Sequence, residues 1–443
     1  MNNMTLKPHR AQLVDLFRAA LQAVDPYRCT ARYLDDQRSL FKRGFFKKMF
    51  VIGFGKAVSP MVRAVMDGLG DRVSRGVIIS KYAHLTPVND RWPIQSFEAG
   101  HPLPDEQGRK ATLEVIRLCR EADERTLILC LISGGGSALL VAPWAGISLE
   151  EKKKTTDLLL KAGADIAELN TVRKHLSQVK GGRLAEMALP ATLKSFILSD
   201  VLHNQLEVIA SGPTAPDGTT YAEALHVLDK YGLKDRIPAS VLEVLNKGQQ
   251  GLVPETPKAD HPLFRNVDNT IIGGNLEALK ATEKEALRMG YKTEILSAEI
   301  CGEAREAGRQ LGKKALAARE KMCSKGEHKV CLISGGETTV TVIGKGKGGR
   351  NMELALAFAR EVEGVEGISF LSAGTDGTDG PTDAAGAIVD GRTISRARAL
   401  GLDPEAALGD NNSYRFFERM NELFITGPTR TNVMDIQIML LQG

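Results

Sequence analysis

Paired cysteines are absent from this sequence. Its six thiols, Cys29, Cys119, Cys130, Cys301, Cys323 and Cys331, include no C-x-x-C pair and no companion histidine spacing. That excludes a zinc site of the usual pattern and leaves the thiols to be expected reduced and mostly structural. Long apolar runs are missing too: the strongest, around Leu127 to Ile132, is far shorter than the roughly 20 residues a membrane-spanning helix needs. The opening segment, Met1 to Arg10, lacks the apolar stretch of a secretory signal. Lysine and arginine are not gathered into blocks, and the net charge is only +4, so no nucleic-acid footprint is read. Neither a G-x-x-x-x-G-K-[ST] loop nor a G-x-S-x-G elbow occurs, so any ATP site is built without the P-loop and an acyl hydrolase is disfavoured. Aromatics are sparse at 5%, while 43% hydrophobic and 25% charged residues match ordinary globular proteins and give no sign of disorder. A soluble, cytoplasmic chain without membrane or nucleic-acid partners is the expectation.

At 443 residues the length favours two domains, with three as the alternative. Leu13, Leu16, Phe17, Leu21 and Val24 recur at helical steps and predict an opening helix that Pro26 closes. Beyond it, short apolar runs at Met49–Ile52, Val77–Ser80, Leu127–Ser133 and Phe196–Ser199 alternate with segments of helical period. This predicts βαβ units and a parallel sheet covered on both faces. Ser148 and Glu151 form a capping-box pattern. Pro254, Pro257 and Pro262 mark a junction between Gln249 and Asn269. A second series then begins, with strands expected near Thr270–Ile272, Thr293–Leu296, Val330–Ser334, Thr338–Ile343, Ile368–Ser372 and Leu423–Thr426. The expected fold class is α/β in two domains: a Rossmann-like parallel-sheet domain over 1–250 and an α/β domain with a mixed sheet over 270–443. An active-site cleft between them is expected.

Cys130-Leu-Ile-Ser-Gly-Gly135 and Cys331-Leu-Ile-Ser-Gly-Gly336 are identical hexapeptides. Each is expected to end a buried strand in a glycine turn, and two such turns could face one another across a cleft. Simple punctuation of two strands is the plainer reading. Gly53-Phe54-Gly55-Lys56-Ala57 follows a strand and precedes a helix, where amides can cradle phosphate. As a dinucleotide fingerprint it is weak, because Val58 replaces the third glycine and the next strand ends at Ser80-Lys81 without a ribose-binding carboxylate. Ser133, Gly134, Gly135, Gly136 and Ser137 form a stronger anion nest. Gly346-Lys347-Gly348-Gly349-Arg350 is a third candidate, whose alternative is a hairpin tip.

Asp200 closes one strand, a place for a catalytic or metal-binding carboxylate and equally for a helix cap. Asp376, Asp379 and Asp383 follow another and could hold Mg²⁺. Arg173, Lys174 and His175 cannot all face one way on a helix, so some of them are expected in solvent.

With these residues in view the chain resembles the glycerate 2-kinases whose C-terminal part is the MOFRL domain. The most specific pieces are Gly53–Ala57, Glu98-Ala-Gly-His-Pro-Leu-Pro-Asp105, Ser133–Ala138, Asn170–His175 with Lys180-Gly-Gly182, Ser199-Asp-Val201 and Ala210-Ser-Gly-Pro-Thr214. Ser334-Gly-Gly-Glu337, Gly348-Gly-Arg-Asn351, Ser372-Ala-Gly-Thr-Asp-Gly377 and Thr426-Gly-Pro-Thr429 complete them. The resemblance implies ATP-dependent, Mg²⁺-assisted conversion of D-glycerate to 2-phosphoglycerate, with Lys56 and Arg350 as the catalytic cations.

Combined with the strand-end reading, this gives catalytic Lys56, Arg350 and Asp200, and substrate contacts at Gly55, Lys56 and Arg350. Phosphate or nucleotide contacts are expected from Ser133–Ser137, Lys180, Gly335, Gly336, Glu337 and Asn351, and metal contacts from Asp200 and Asp376. A homodimer is compatible with the reading. Departures from the family pattern fall at Leu202–Glu207, at Arg430 where glycine is common, and at Met352 where glutamine is. The rival is a hydroxypyruvate reductase using NAD(P)H, against which the missing ribose carboxylate weighs.

Overall fold

A computed structural model describes residues 6–86 and 89–443. The chain divides into two compact units, Pro26–Ile272 and Met1–Asp25 with Gly273–Gly443.

The first unit is built on β1 (Lys48–Phe54), β2 (Val73–Lys81), β3 (Ile94–Ala99), β4 (Thr126–Ile132), β5 (Thr192–Leu198) and β6 (Val267–Gly273), in the order β3-β2-β1-β4-β5-β6. Neighbours from β3 through β5 pair in parallel. Residues of one strand alternate between two faces, and both faces are buried. Val51, Leu129 and Leu131 pack with Met61, Val62 and Val65 of the Val58–Leu69 helix. Ile52, Phe54, Cys130 and Ile132 pack with Ala111, Val115 and Leu118 of the Glu106–Arg120 helix. This explains the continuous apolar runs in the sequence. Four helices, Leu149–Lys161, Ile166–His175, Tyr221–Lys230 and Ala239–Gln249, contribute to a separate apolar cluster. The Ser148–Glu151 capping box is present.

The strand order places a topological switch between β1 and β4, where the chain leaves in opposite directions along the sheet. In open α/β sheets that point, beyond the strands' carboxyl ends, is where ligands bind. Here it is occupied by the turns after β1 and β4.

In the second unit β7 (Lys292–Ile300), β8 (Lys329–Gly336), β9 (Ile368–Gly374), β10 (Gly386–Asp390), β11 (Leu423–Phe424) and β12 (Asp435–Gln442) follow the order β11-β10-β9-β12-β8-β7. Only β7 and β8 are parallel among the described pairs; the others are antiparallel, so the sheet is mixed. Helices Ala304–Ser324 and Arg350–Glu361 pack together over the core around the stacked rings of Phe358 and Phe370.

Three expectations need correction. The opening helix, Leu6–Ala23, belongs to the second unit and not to the first: Phe17 meets Phe424 edge-on at 5.2 Å, and Gln12 accepts a hydrogen bond from the Tyr291 hydroxyl at 2.7 Å. The strand at Thr270 closes the first sheet, so the division falls at Ile272 rather than in the proline-rich stretch. Thr338–Ile343 is not a strand despite its β-branched residues. Beyond one bridge, Glu303 to Thr339, its amides turn to side chains: Thr341 donates to Glu303 and Ile343 to Asn411.

Phe17 is fully buried. Phe17→Ala is therefore expected to destabilise the second unit by about 3–5 kcal/mol, measured as a lowered midpoint in chemical denaturation.

Candidate functional site

The turns after β1 and β4 are stitched together. Lys56 donates its amide to the Gly134 carbonyl at 2.9 Å, Ala57 to Ser133 Oγ at 3.1 Å, and Ser133 to the Phe54 carbonyl at 3.1 Å. Gly55 donates to the Ile79 carbonyl at 3.1 Å. Its φ of +131° and its contact with Ser133, which a Cβ would collide with, both require glycine. The amides of Gly53–Ala57 that could have cradled phosphate are thus spent on neighbouring strands and turns, which corrects the first reading of that motif. In the Ser133–Ser137 turn the outcome is the opposite. Among the described residues nothing accepts from the amides of Gly134, Gly135 or Ser137.

Gly135 lies at φ +85°, and a Cβ there would stand 2.9 Å from His101 Cδ2, 3.1 Å from its Nε2 and 3.5 Å from Lys56 Cγ. The imidazole edge and the lysine stem therefore flank the glycine turn. Burial, followed by the charges of Lys56, Lys81 and His84, pushes the His101 pKa down to about 4, so its ring is neutral at pH 7. His101 belongs to a sequence motif noted above, but no role was read for it. Its neighbourhood is set by a distant turn.

Lys180 is buried and donates to Ser137 O at 2.8 Å, Ser137 Oγ at 3.2 Å and Ala210 O at 3.3 Å. Asp200, half-buried, lies just beyond β5. The helix end at Arg173–His175 differs from expectation. Lys174 is not in solvent but paired with the buried Asp217 at 3.1 Å, and buried His175 meets Glu255 at 2.9 Å. Both are accommodated inside because a carboxylate accompanies each.

In the second unit the centre is Arg350, first residue of its helix. Its Nε and Nη2 donate to the two carboxylate oxygens of Asp435 at 2.6 and 2.9 Å, and its Nη1 reaches Glu337 at 2.7 Å. Burial works against the charge, but Asp435 and Glu337 more than offset it and hold the guanidinium's pKa above its usual value. Asp379 accepts from the amides of Asn351 and Met352, capping the helix, and burial raises its pKa to about 7. Asn351 Oδ1 accepts from Ser372, while its buried Nδ2 finds no partner among the described residues. Asp435 carried no signal in the sequence. It sits at the start of β12, a strand not anticipated, opposite Gly336.

That pairing also corrects the reading of the second hexapeptide. Gly335 and Gly336 remain in the β8 ladder, paired with Ile436 and Asp435, whereas the first hexapeptide leaves its strand at Ile132. Identical residues thus give a turn in one unit and a strand in the other. The Gly346–Arg350 loop is pinned as well, with Gly346 donating to the Asp410 carbonyl and Lys347 to Asn412. The three aspartates disperse: Asp376 accepts from Thr378, Asp379 caps the helix, and Asp383 accepts from the Tyr414 hydroxyl. No group of three His, Cys, Asp or Glu side chains able to hold a metal forms among the described residues.

A family model described as a domain of unknown function (DUF4147) matches residues 12–246, and the MOFRL family model matches residues 330–435. The glycerate 2-kinase of Pyrococcus horikoshii is 43% identical over 431 residues, 95% of each chain. The chain belongs to the glycerate 2-kinase family with a C-terminal MOFRL domain. A crystal structure of glycerate kinase from Thermotoga maritima matches with a TM-score of 0.86 and 41% identity, covering 98% of this chain and all of that one. A relative from Agrobacterium vitis, 39% identical over 98% of this chain and 94% of its own, carries hydroxypyruvate reductase as a provisional name. Arg430 stands at φ +65°, in the left-handed region that favours glycine. No helix among the described residues is long and apolar enough to cross a membrane.

Proposed function

We propose that this chain transfers the γ-phosphoryl group of ATP to the 2-hydroxyl of D-glycerate, giving 2-phosphoglycerate and ADP. The observation that carries this reading is the near full-length kinship with glycerate kinases, spanning both units. The first unit adds a reason against hydride transfer from a dinucleotide. In its β1 turn the amides a pyrophosphate would need are already bonded, and β2 ends at Lys81 without a ribose carboxylate.

Phosphoryl transfer through a loose transition state asks the protein for alignment and for charge on the phosphoryl oxygens. In this reading the amides of the Ser133–Ser137 turn receive a phosphate, Lys56 beside them carries positive charge to the transferring group, and Arg350 presents its remaining N–H donors to the phosphoryl group or to the glycerate carboxylate. Asp200 orients the attacking hydroxyl. Asp200 and Asp376, each just beyond a strand of its own unit, are the carboxylates that would offer Mg²⁺ the hard oxygen donors it takes. When bound, the ion neutralises charge on the β- and γ-phosphates.

A coupled assay of ADP release over a panel of hydroxy acids tests the reading, with ³¹P NMR locating the new ester. ADP formation is expected to require both D-glycerate and Mg²⁺. Oxidation of NADH by hydroxypyruvate without any ADP formation would overturn it.

A further inference from the structure

The neighbours of Lys174 and His175 pose a question of charge. Lys152, in the Leu149–Lys161 helix, and Lys180 are 5% and 1% exposed, and Arg173 is partly buried on the last turn of the Ile166–His175 helix. Lys174 and His175 each have a carboxylate. Among the described residues these three have none. Lys152 Nζ donates to one acceptor, the Leu176 carbonyl at 3.2 Å, and Lys180 only to the neutral oxygens of Ser137 and Ala210. The Arg173 guanidinium makes no hydrogen bond or ion pair among the described residues, although it offers five donors.

Hydrogen bonds tie their positions together: Lys152 reaches the Leu176 carbonyl, three residues past Arg173, while Asn170, one turn before Arg173 on the same helix, accepts from Ser211 Oγ at 3.1 Å, and Ser211 Oγ meets Ser137 Oγ, which Lys180 also bonds, at 2.8 Å. Burial and then Arg173 push the Lys152 pKa down to about 7; burial, Lys152 and Arg173 push that of Lys180 well below its usual value; and no carboxylate figures among the influences on any of them. Gathering three basic groups inside a protein with no counter-charge is costly. An anion would relieve it.

We propose that Lys152, Arg173 and Lys180 form a phosphate-binding subsite, continuous through Ser137 with the unpaired amides of Gly134, Gly135 and Ser137. Two features select a phosphate over a carboxylate. The donors still free are those of the Lys152 ammonium, the Arg173 guanidinium and three amides, more than the two oxygens of one carboxylate can use, whereas a phosphate has at least three oxygens; Lys180, whose three N–H bonds are taken by Ser137 and Ala210, contributes its charge. The turn's amides and Lys180 meet at Ser137 itself, so successive phosphates of one chain could be held in line. The phosphate is that of a nucleotide or of a phosphorylated hydroxy acid. This inference rests on the phosphotransfer reading for its choice of ligands, but its test does not depend on turnover.

Arg173→Met removes a guanidinium that has no partner among the described residues. The free variant is therefore expected to melt at the same temperature as the parent or higher, because repulsion on the two buried lysines is relieved. Binding of ADP and of 2-phosphoglycerate is measured separately by calorimetry and by the thermal shift each produces. Affinity for at least one is expected to fall about tenfold or more in Arg173→Met, the loss of a charged donor pair. A second variant, Lys152→Met, is expected to show the same loss. The ligand that responds identifies the source of the phosphate. Parental affinity for both ligands in both variants would overturn the proposal, as would an Arg173→Met protein that melts lower when free, since that marks a structural role. If the parent forms ADP from ATP and D-glycerate while the variants bind normally, the subsite fails and the kinase reading stands. If the parent binds ADP and loses it on substitution but never turns over D-glycerate, the subsite stands and the kinase reading fails.

Discussion

Lys56→Ala is expected to lower kcat by about 10²–10³, equivalent to roughly 3–4 kcal/mol of transition-state stabilisation, while the protein stays folded. The fold should survive because the turn at Lys56 is held by its backbone: the amide bonds to Gly134 and the adjacent Ala57 amide bonds to Ser133 Oγ. Neither bond needs the side chain. The lysine stem passes Gly135 and His101 at the topological switch, beside the turn whose Gly134, Gly135 and Ser137 amides have no acceptor among the described residues. A companion measurement is independent of turnover. Lys56 is one of the cations that depress the His101 pKa to about 4, second only to burial. Its removal is expected to raise that pKa toward the ordinary histidine value of about 6.5, which NMR titration of the ring would register. Near-parental turnover with a displaced His101 pKa would leave Lys56 as a neighbour of the site without a catalytic role.

The first sheet was legible because a strand buried on both faces writes itself as a continuous apolar run, and its switch-point turns follow directly from glycine. The turns that carry the candidate residues Lys56 and Ser133–Ser137 were located in that way. Elsewhere local pattern gave no sign of what distant partners decide. Nothing local distinguishes the two copies of Cys-Leu-Ile-Ser-Gly-Gly. The second continues as strand because β12 lies against it, and the first turns. Thr338–Ile343 has the composition of a strand, yet Glu303 and Asn411 take its amides. The opening helix was correctly placed in sequence but assigned to the wrong unit, since an amphipathic face says that a helix packs and not on what. Asp435 was missed for the same reason: a lone aspartate at a strand end carries no motif, and its meaning comes only from the arginine 85 positions away.

Arg350→Lys is expected to be nearly as damaging as Arg350→Ala, both lowering kcat by about 10²–10³. The structure sharpens why charge alone should fail. Nε and Nη2 form a planar fork on the two oxygens of Asp435, and Nη1 spans to Glu337. Two N–H donors are thereby fixed on Asp435 and Nη1 is held beside Glu337, which sets the direction in which the remaining donors point. An ammonium cannot hold both oxygens of Asp435, reach Glu337 and still face a ligand. The carboxylate of Asp435 is only 1% exposed, so losing the fork leaves a buried charge poorly compensated, at a cost of about 3–5 kcal/mol if the partner is removed outright. Stability must therefore be read alongside activity. Arg350→Lys should retain a cooperative unfolding transition, because the lysine still supplies a positive charge to Asp435, while its kcat falls with that of Arg350→Ala. Asp435→Asn separates positioning from charge: the guanidinium remains, its anchor weakens, and kcat is expected to fall while Arg350 itself is intact. If Arg350→Lys keeps most of the activity, the fork is a structural tie to β12 and the directional role assigned to Arg350 is wrong.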